Sequence, residues 1–393
     1  MSFALSADDP DARRIERVVA GRANVVYWGD ESALVKQIEE LAPDLVTTFV
    51  EELLAVTSDA ARAAGRMAHA AVTVSALRGK VRQRELLARA ALPVPWFRGV
   101  DRDNIPAAIR AAPPGDLVLK PAEGAGSRHT YRTHGGKHPE TGVFAALPEI
   151  DYIIEEELRG AASSHRSVGD YGSVELISVD GRHSPLAVVG RFPLVEPFRE
   201  RGGFHPSAWS TEEQAEMSNL ASRALDALDV RDGLSHVEIK HTPEGPRVIE
   251  VNGRLGGNVA DLLHRSARFD ILREWLTQAL PLAGDAHVGQ PQPMQADKLC
   301  YRWCLYAEYP LTGVLSDIIG LADVRQLPHV DRVALLRRRG EMIDWRDGTA
   351  SAVAMVDGTV EDFYQLDHAV QQLADTARVV LDPVHSPSDG SEP

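Results

Sequence analysis

The sequence predicts a mixed α/β and α+β chain of several domains, on three observations. Strand-like and helix-like stretches alternate through the first 95 residues, the pattern of a parallel sheet covered by helices. A series of strands follows the double proline in Leu92-Pro93-Val94-Pro95. Past Pro281 the composition turns Gly-, Gln- and Pro-rich and then gives way to short strands and one helix. A length of 393 residues also exceeds one ordinary core.

Taken in order, Phe3–Leu5 and Asn24–Trp28 are short apolar strands, with Glu31–Leu41 an amphipathic helix after them. Asp44–Val50 reads as a further strand and Glu51–Ala64 as a helix. A helix over Ser75–Ala91 carries Lys80, Arg82, Arg84 and Arg89, and the prolines stop it. Asp103–Arg110 is a helix. Leu117–Lys120 is a strand running into a Gly-rich loop, and Tyr152–Glu156 is another strand. Residues 161–172, rich in Ser, Gly and His, read as a mobile loop. Ser173–Ser178 and Ala187–Arg191 are strands. Thr211–Leu228 is a helix with Ser210 or Thr211 as N-cap and Glu212 and Glu213 in its first turn. Val259–Ala267 and Glu361–Thr376 complete the helices. The expected units are 1–93, an N-terminal α/β domain; 94–185, a small subdomain; 186–281, a central domain; and 282–382, a C-terminal α+β subdomain. A linker at 282–296 and a disordered tail at 383–393 are also expected.

Composition narrows the function. The net charge of −15 argues against nucleic acid or an anionic membrane as partner. Cys300 and Cys304, the two cysteines, form neither a disulfide framework nor a zinc site; four apart, they suit one helix face as buried thiols. No apolar run approaches the about 18 residues of a membrane span, and the N-terminus lacks the regions of a signal peptide. A cytoplasmic protein is expected.

The strongest chemical signal is His236-Val237-Glu238-Ile239-Lys240, then Arg247-Val248-Ile249-Glu250-Val251-Asn252-Gly253-Arg254. Both halves alternate apolar and polar residues, and the gap between them is turn chemistry, so they form a β-hairpin. Symmetry about Glu244 puts Glu238 opposite Glu250. Like charges facing each other destabilise a sheet, so the pair calls for a cation. With Asn252 on the same face, the all-oxygen set suits Mg²⁺ serving a nucleotide phosphate. Arg254 can hold a second anion bidentately.

Other residues admit two readings. Lys120 before Pro121-Ala122-Glu123-Gly124-Ala125-Gly126-Ser127 is a phosphate cradle or a solvated edge. The P-loop and dinucleotide templates are both absent. Glu155-Glu156-Glu157-Leu158 is a hinge for adenine or a solvated strand end. His205, in a Gly/Pro loop, orients a substrate carboxylate or is simply solvated; His236 is a partner of Glu238 or a satisfied core histidine.

The order of these parts resembles the ATP-grasp superfamily of carboxylate–amine ligases. Within it the sequence is most similar to the L-amino acid ligases that make dipeptides and their relatives in natural-product pathways. The resemblance rests on Lys80 before the prolines, Leu117-Val118-Leu119-Lys120-Pro121 with its loop, and the Ile153–Leu158 hinge. It rests also on Glu238 and the run Glu250-Val251-Asn252-Gly253-Arg254-Leu255-Gly256-Gly257. It implies an ATP-grasp fold with ATP as cosubstrate and one or two Mg²⁺ ions, Mn²⁺ being an alternative. Lys80 and Lys120 would bind phosphates, Gly124, Gly126 and Ser127 would close over them, and Glu155, Glu156, Glu157 and Leu158 would bind adenine. Glu238, Glu250 and Asn252 would be metal ligands. Arg254 and Lys120 would be catalytic, with Arg254 on the γ-phosphate, the substrate carboxylate or the tetrahedral oxyanion. His205, Gly256, Gly257 and Asn258 would line the substrates. The implied reaction forms ADP, an acyl phosphate and then an amide, from small-molecule carboxylate and amine partners, in an enzyme that is commonly a homodimer. Alternatives are a biotin-carboxylase-like enzyme activating bicarbonate and a nucleotide-binding module without turnover. Residues 161–172 resemble an insertion that shapes specificity or a solvated loop.

Overall fold

The computed structural model describes residues 1–9, 12–133, 147–280 and 294–383. Residues 282–293 of the expected linker at 282–296, and all but Pro383 of the expected tail at 383–393, lie outside the described residues.

At the N-terminus β1 (Ser2–Ser6), α1 (Ala12–Val19), β2 (Asn24–Trp28) and α2 (Glu31–Leu41) alternate as expected, and β1 pairs parallel with β2. Asp30 caps α2 by accepting from the Ala33 N–H at 2.8 Å. Leu34 and Ile38 of α2 bury against Ala60 of α3 (Leu54–Ala63). The strand expected over Asp44–Val50 does not form. Its apolar side chains dock sideways instead: Leu45 packs against the cluster holding Trp275, and Phe49 meets the Trp275 ring edge-on at 6.3 Å. The single helix expected over Ser75–Ala91 is two, α4 (Ala71–Arg78) and α5 (Lys80–Arg89), broken at Gly79. A Cβ there would stand 2.9 Å from the Ser75 carbonyl, and the break lets Lys80 start a new helix beside the hairpin.

β3 (Phe97–Val100), α6 (Ile105–Arg110), β4 (Leu117–Pro121), β5 (Tyr131–Thr133) and β6 (Tyr152–Glu156) follow. Their strands form an antiparallel four-stranded sheet in the order β3-β6-β4-β5. Its core of Ile105, Leu119, Tyr152 and Ile154 also receives Trp345, a residue from the far end of the chain.

Next come β7 (Tyr171–Val179), β8 (Arg182–Arg191), β9 (Gly202–His205), α7 (Thr211–Ala227), β10 (Gly233–Thr242) and β11 (Gly245–Asn252). After them come α8 (Val259–Ala267), α9 (Ile271–Ala279), β12 (Leu299–Leu305), β13 (Thr312–Ile319), α10 (Leu321–Val324), β14 (Val330–Leu335) and β15 (Met342–Asp344). β16 (Ala354–Val360), α11 (Phe363–Thr376) and β17 (Arg378–Pro383) complete the chain. Pro383 therefore ends a strand rather than opening the tail. An eight-stranded sheet, β11-β10-β7-β8-β9-β12-β16-β14, spans the middle and the C-terminal part, and β15-β13-β17 is a separate three-stranded sheet. Cys300 and Cys304 are free and buried, as expected, but sit on β12; their even spacing places them on one strand face.

Period-two alternation gives the large sheet two unlike faces. Val174, Val237, Ile239, Val248 and Val251 face α7, which buries Met217, Leu220, Ala224 and Leu225 against them. Each such large side chain contributes about 1.5–3 kcal/mol. A capping box between Ser210 and Glu213 starts α7. Residues alternating with these (His236, Glu238, Lys240, Ser173 and Glu175) form a polar face, and that face carries the site.

Residues 161–170 are docked. Ala161 N–H donates to the His241 carbonyl at 2.7 Å, and Ser167 N–H donates to Asp367 of α11 at 2.7 Å. Tyr171 already belongs to β7. No helix of the described residues is long and apolar enough to cross a membrane.

Candidate active site

The hairpin holds the two expected carboxylates face to face, by a route the sequence did not disclose. β10 and β11 turn at Pro243-Glu244, with Thr242 opposite Gly245 and Ile239 opposite Val248. Continued unbroken, that register would put Glu238 opposite Ile249. A bulge between Glu238 and Ile239 on the ladder leaves Ile249 unpaired and restores Glu238 opposite Glu250, with His236 opposite Asn252. The Ile249 carbonyl, freed from the ladder, accepts from Arg84 at 2.5 Å.

Each carboxylate has its own cation. Lys80 Nζ lies 3.0 Å from Glu250 Oε1 and donates to the Gly124 carbonyl at 2.5 Å. His236 Nε2 lies 3.6 Å from Glu238, while Nδ1 lies 2.7 Å from Glu175. Burial opposes charge on all three groups. Even so, the Glu175 carboxylate raises His236 to about 9, and His236, Arg191 and Arg254 hold Glu238 at about 2. Asn252 is buried; its amide donates to the His236 carbonyl and its oxygen accepts from Arg254, both at 3.4 Å. Among the described residues no three His, Cys, Asp or Glu side chains gather as a metal cage. The oxygen set here is two opposed carboxylates and one amide, each already neutralised or bonded by a side-chain donor. That chemistry fits a hard divalent cation that keeps several waters and shares its shell with phosphate.

A cleft of about 430 Å³ opens beside this pair, within the range of small-ligand sites. Lys80, Lys120, Gly124, Gly126, Ser127, Glu155, Glu156, Glu157, Leu158, Glu238 and Glu250 all line it. Lys120 Nζ is 2.6 Å from one oxygen of Glu155, and Arg84 Nε is 2.6 Å from the other. Burial would raise the Glu155 carboxyl, but the two cations hold it at about 2. Glu155 therefore positions Lys120. At the hinge, Glu156 N–H donates to Trp96 and Glu157 N–H to Asp116, both at 2.9 Å. The Glu157 carboxylate takes a two-pronged contact from Arg132, which also pairs with Glu196 at 2.8 Å.

The other end of the site is built around Arg254. Its Nε lies 2.8 Å from Glu51 Oε2. Glu51 opens the short helical turn before α3 and is buried. Desolvation raises its carboxyl, partly offset by Arg254. The sequence marks Glu51 only as the start of a helix and gives no role to Arg191 and Glu175, whose partners lie on other segments. A cavity of about 60 Å³ borders Arg254, with Phe49, Leu54, Met67 and Trp275 in its wall. The Trp275 Nε1 is buried without an acceptor among the described residues. Gly256 packs under His236, since a Cβ there would come within 2.4 Å of the ring; Gly257 has open space among the described residues, and Asn258, at φ 70, occupies the N-cap position of α8 without a side-chain bond to the helix. His205 lines neither cavity. It is buried, its Nδ1 lies 2.7 Å from Ser266 Oγ, and burial lowers it to about 4.

Residues 78–258 match the ATP-grasp domain family. An uncharacterized protein, y4rH, of Sinorhizobium fredii (strain NBRC 101917 / NGR234) is 27% identical over 278 residues, 67% of this chain and 53% of that protein. Carnosine synthase 1 of Gallus gallus is 30% identical over 158 residues, 39% of this chain and 17% of that protein. The chain thus matches about half the length of the first relative and far less of the second. The crystal structure of an L-amino acid ligase from Bacillus licheniformis superposes with a TM-score of 0.72 at 19% identity, covering 97% of this chain and 99% of that one. Biotin carboxylase from Campylobacter jejuni gives 0.59 at 15% identity, covering 97% and 86%. These likenesses show an ATP-grasp fold, and residues 78–258 match the ATP-grasp domain family.

Proposed function

We propose that the protein is an ADP-forming ligase that activates the carboxylate of one amino acid as an acyl phosphate and joins it to the amine of another. The supporting observation is the joining of two chemistries in one site. Two cationic lysines and a Gly-rich loop line a nucleotide-sized cleft at the facing pair Glu238 and Glu250, and the polar face ends at the ion pair Arg254–Glu51.

In this reading the ATP phosphates lie along Lys80, Lys120 and the 124–127 loop, with adenine at Glu156–Leu158. Glu238, Glu250 and Asn252 would hold one or two Mg²⁺ ions, with Mn²⁺ able to substitute, and the metal would neutralise phosphate oxygens. Arg254 and Glu51 present a cation and an anion together, which matches the carboxylate and ammonium of a free amino acid. The about 60 Å³ cavity at Arg254 suits a small apolar side chain. After phosphoryl transfer the amine attacks the acyl carbon, phosphate leaves, and Arg254 stabilises the oxyanion. The loop excludes water from the acyl phosphate meanwhile. Bicarbonate, the alternative acyl donor, has no ammonium and would leave Glu51 without a substrate partner. ATP as cosubstrate and two free thiols suit the cytoplasm.

The test is a screen of amino-acid pairs with purified protein, ATP and Mg²⁺, following ADP, phosphate and product mass. Amide product with one ADP per bond is expected. AMP and pyrophosphate, or turnover that requires bicarbonate and ignores amino acids, would overturn the reading.

A further inference from the structure

We propose that Trp345–Thr349, from the C-terminal part of the chain, is a strap that positions the phosphate loop; Gly348 and Thr349 are positioning residues for the nucleotide. The inference rests on the reading of the 124–127 loop as the phosphate loop. It goes beyond that reading in assigning the loop's placement to a segment more than two hundred residues away.

Two backbone hydrogen bonds join the strap to the loop. Thr349 N–H donates to the Gly126 carbonyl at 2.8 Å, and His129 N–H donates to the Arg346 carbonyl at 2.9 Å. The approach is so close that only glycine fits at 348. Its φ is 62°, and a Cβ would stand 2.1 Å from the Gly126 oxygen and 2.6 Å from the Ser127 carbonyl carbon. Trp345, next to this contact, is buried in the core of the four-stranded sheet, edge-on to Tyr131 at 5.8 Å and to Tyr309 at 4.9 Å. The strap is thus fastened in the small subdomain while the chain on both sides of it belongs to C-terminal strands.

Its other side is tied to the polar face of the large sheet. Glu200 N–H donates to Thr349 Oγ1 at 3.4 Å, and the Tyr306 hydroxyl donates to the Glu200 carbonyl at 2.6 Å. The Glu200 carboxylate pairs with Arg191 at 2.5 Å, and Arg191 donates to Ser173 beside Glu238. A continuous set of contacts therefore runs from the carboxylate pair to the loop.

The loop needs such support. Gly124, Gly126, Ser127 and His129 all have positive φ, and Ser127 and His129 carry side chains there. Backbone of this kind persists where its surroundings fix it. A loop held in advance of nucleotide loses less conformational freedom on binding and shields the acyl phosphate from water.

Hydrogen exchange on the full chain tests this, with and without Mg²⁺ and a non-hydrolysable ATP analogue. In the nucleotide-free protein the His129 and Thr349 amides, which donate between loop and strap, should be protected, and Gly348→Ala should speed their exchange by about tenfold or more. Exchange in α7 should stay as it was. Thr349→Val, which keeps the N–H and removes the hydroxyl, should give a smaller rise, and Thr349→Ser none. In turnover, Gly348→Ala should raise KM for ATP and the phosphate released per amide bond more than it lowers kcat. Free exchange of these two amides in the nucleotide-free wild type, or unchanged exchange of both in Gly348→Ala and Thr349→Val, would overturn the strap. A failed ligase reading would show separately, as wild-type protein that forms no amide while the exchange results stand.

Discussion

The cleft proposed for nucleotide and the Arg254 end of the site are built in opposite ways. In the cleft the charged groups sit on regular elements: Lys120 on β4, Glu238 on β10, Glu250 on β11 and Lys80 at the start of α5. At the other end the partner of Arg254 comes from a short turn after an irregular stretch, Asp44–Val50, that is held by side-chain docking on Trp275. The first is a rigid frame suited to a constant cosubstrate. The second is a loop wall, and loop walls are where specificity is adjusted without disturbing the frame.

The largest expected effect lies in the frame. Glu250→Ala should lower ADP release on the order of 10³-fold, whichever amino acids are supplied. It should lower thermal stability little, because it removes one of two carboxylates that face each other, although Lys80 loses its partner at 3.0 Å. Full activity in that variant would remove the metal assignment and leave the cleft without a chemical centre.

Next is Glu155→Gln. Arg84 and Lys120 hold this buried carboxyl at about 2, below the ordinary 4.5. A depressed carboxyl contributes stability that is fully present above pH 4.5 and is lost as pH falls through about 2. The variant should therefore be less stable than the parent at neutral pH, and the gap should shrink between those two values. Denaturant melts at pH 7, 4 and 2.5 would measure it. A gap independent of pH would mean that Glu155 stabilises by packing alone, and the frame would be less electrostatic than described.

The two regions also differ in how far the sequence discloses them. Alternation along β10 and β11 revealed both strands and the facing glutamates, because period-two patterning is local. The bulge at Ile249 was invisible: the turn could be counted as symmetric or as two residues plus a bulge, and the register shift, with the Arg84 contact to the freed carbonyl, decides between them. The helix break at Gly79 was hidden in the same way, since a lone glycine is tolerated inside many helices. Glu51 and the strap at Trp345–Thr349 gave no signal at all. Their roles come from partners about 200 residues away, at Arg254 and Gly126, and no short-range pattern encodes such pairing.

Glu51→Gln is the sharper test of the loop wall. It removes the anion beside Arg254 and keeps the size. If Glu51 faces a substrate ammonium, KM for one of the two amino acids should rise on the order of 10- to 100-fold, the worth of a charged hydrogen bond, with KM for ATP unchanged. Steady-state kinetics with each substrate varied in turn would show it. A shift in KM for ATP instead would assign Glu51 to the frame, through its electrostatic coupling to Glu250 and Lys80.

The smallest expected effect falls at the rim of the cleft. Arg132 contacts both oxygens of the Glu157 carboxylate at 2.8–3.0 Å, reaches Glu196 at 2.8 Å and lies 4.7 Å over the Phe198 ring. These contacts tie the proposed adenine hinge to the segment after β8. Lysine keeps the charge and loses the planar fork and the stacking. Because Arg132 and Glu157 are partly open to solvent, with 22% and 21% of their side-chain surface exposed, water compensates for much of what is lost. Arg132→Lys should therefore raise KM for ATP only about two- to fivefold, with kcat and both amino-acid KM values unchanged. A change in amino-acid KM would show that the hinge and the Arg254 end act as one unit, and the contrast between frame and loop wall would then fail at its weakest contact.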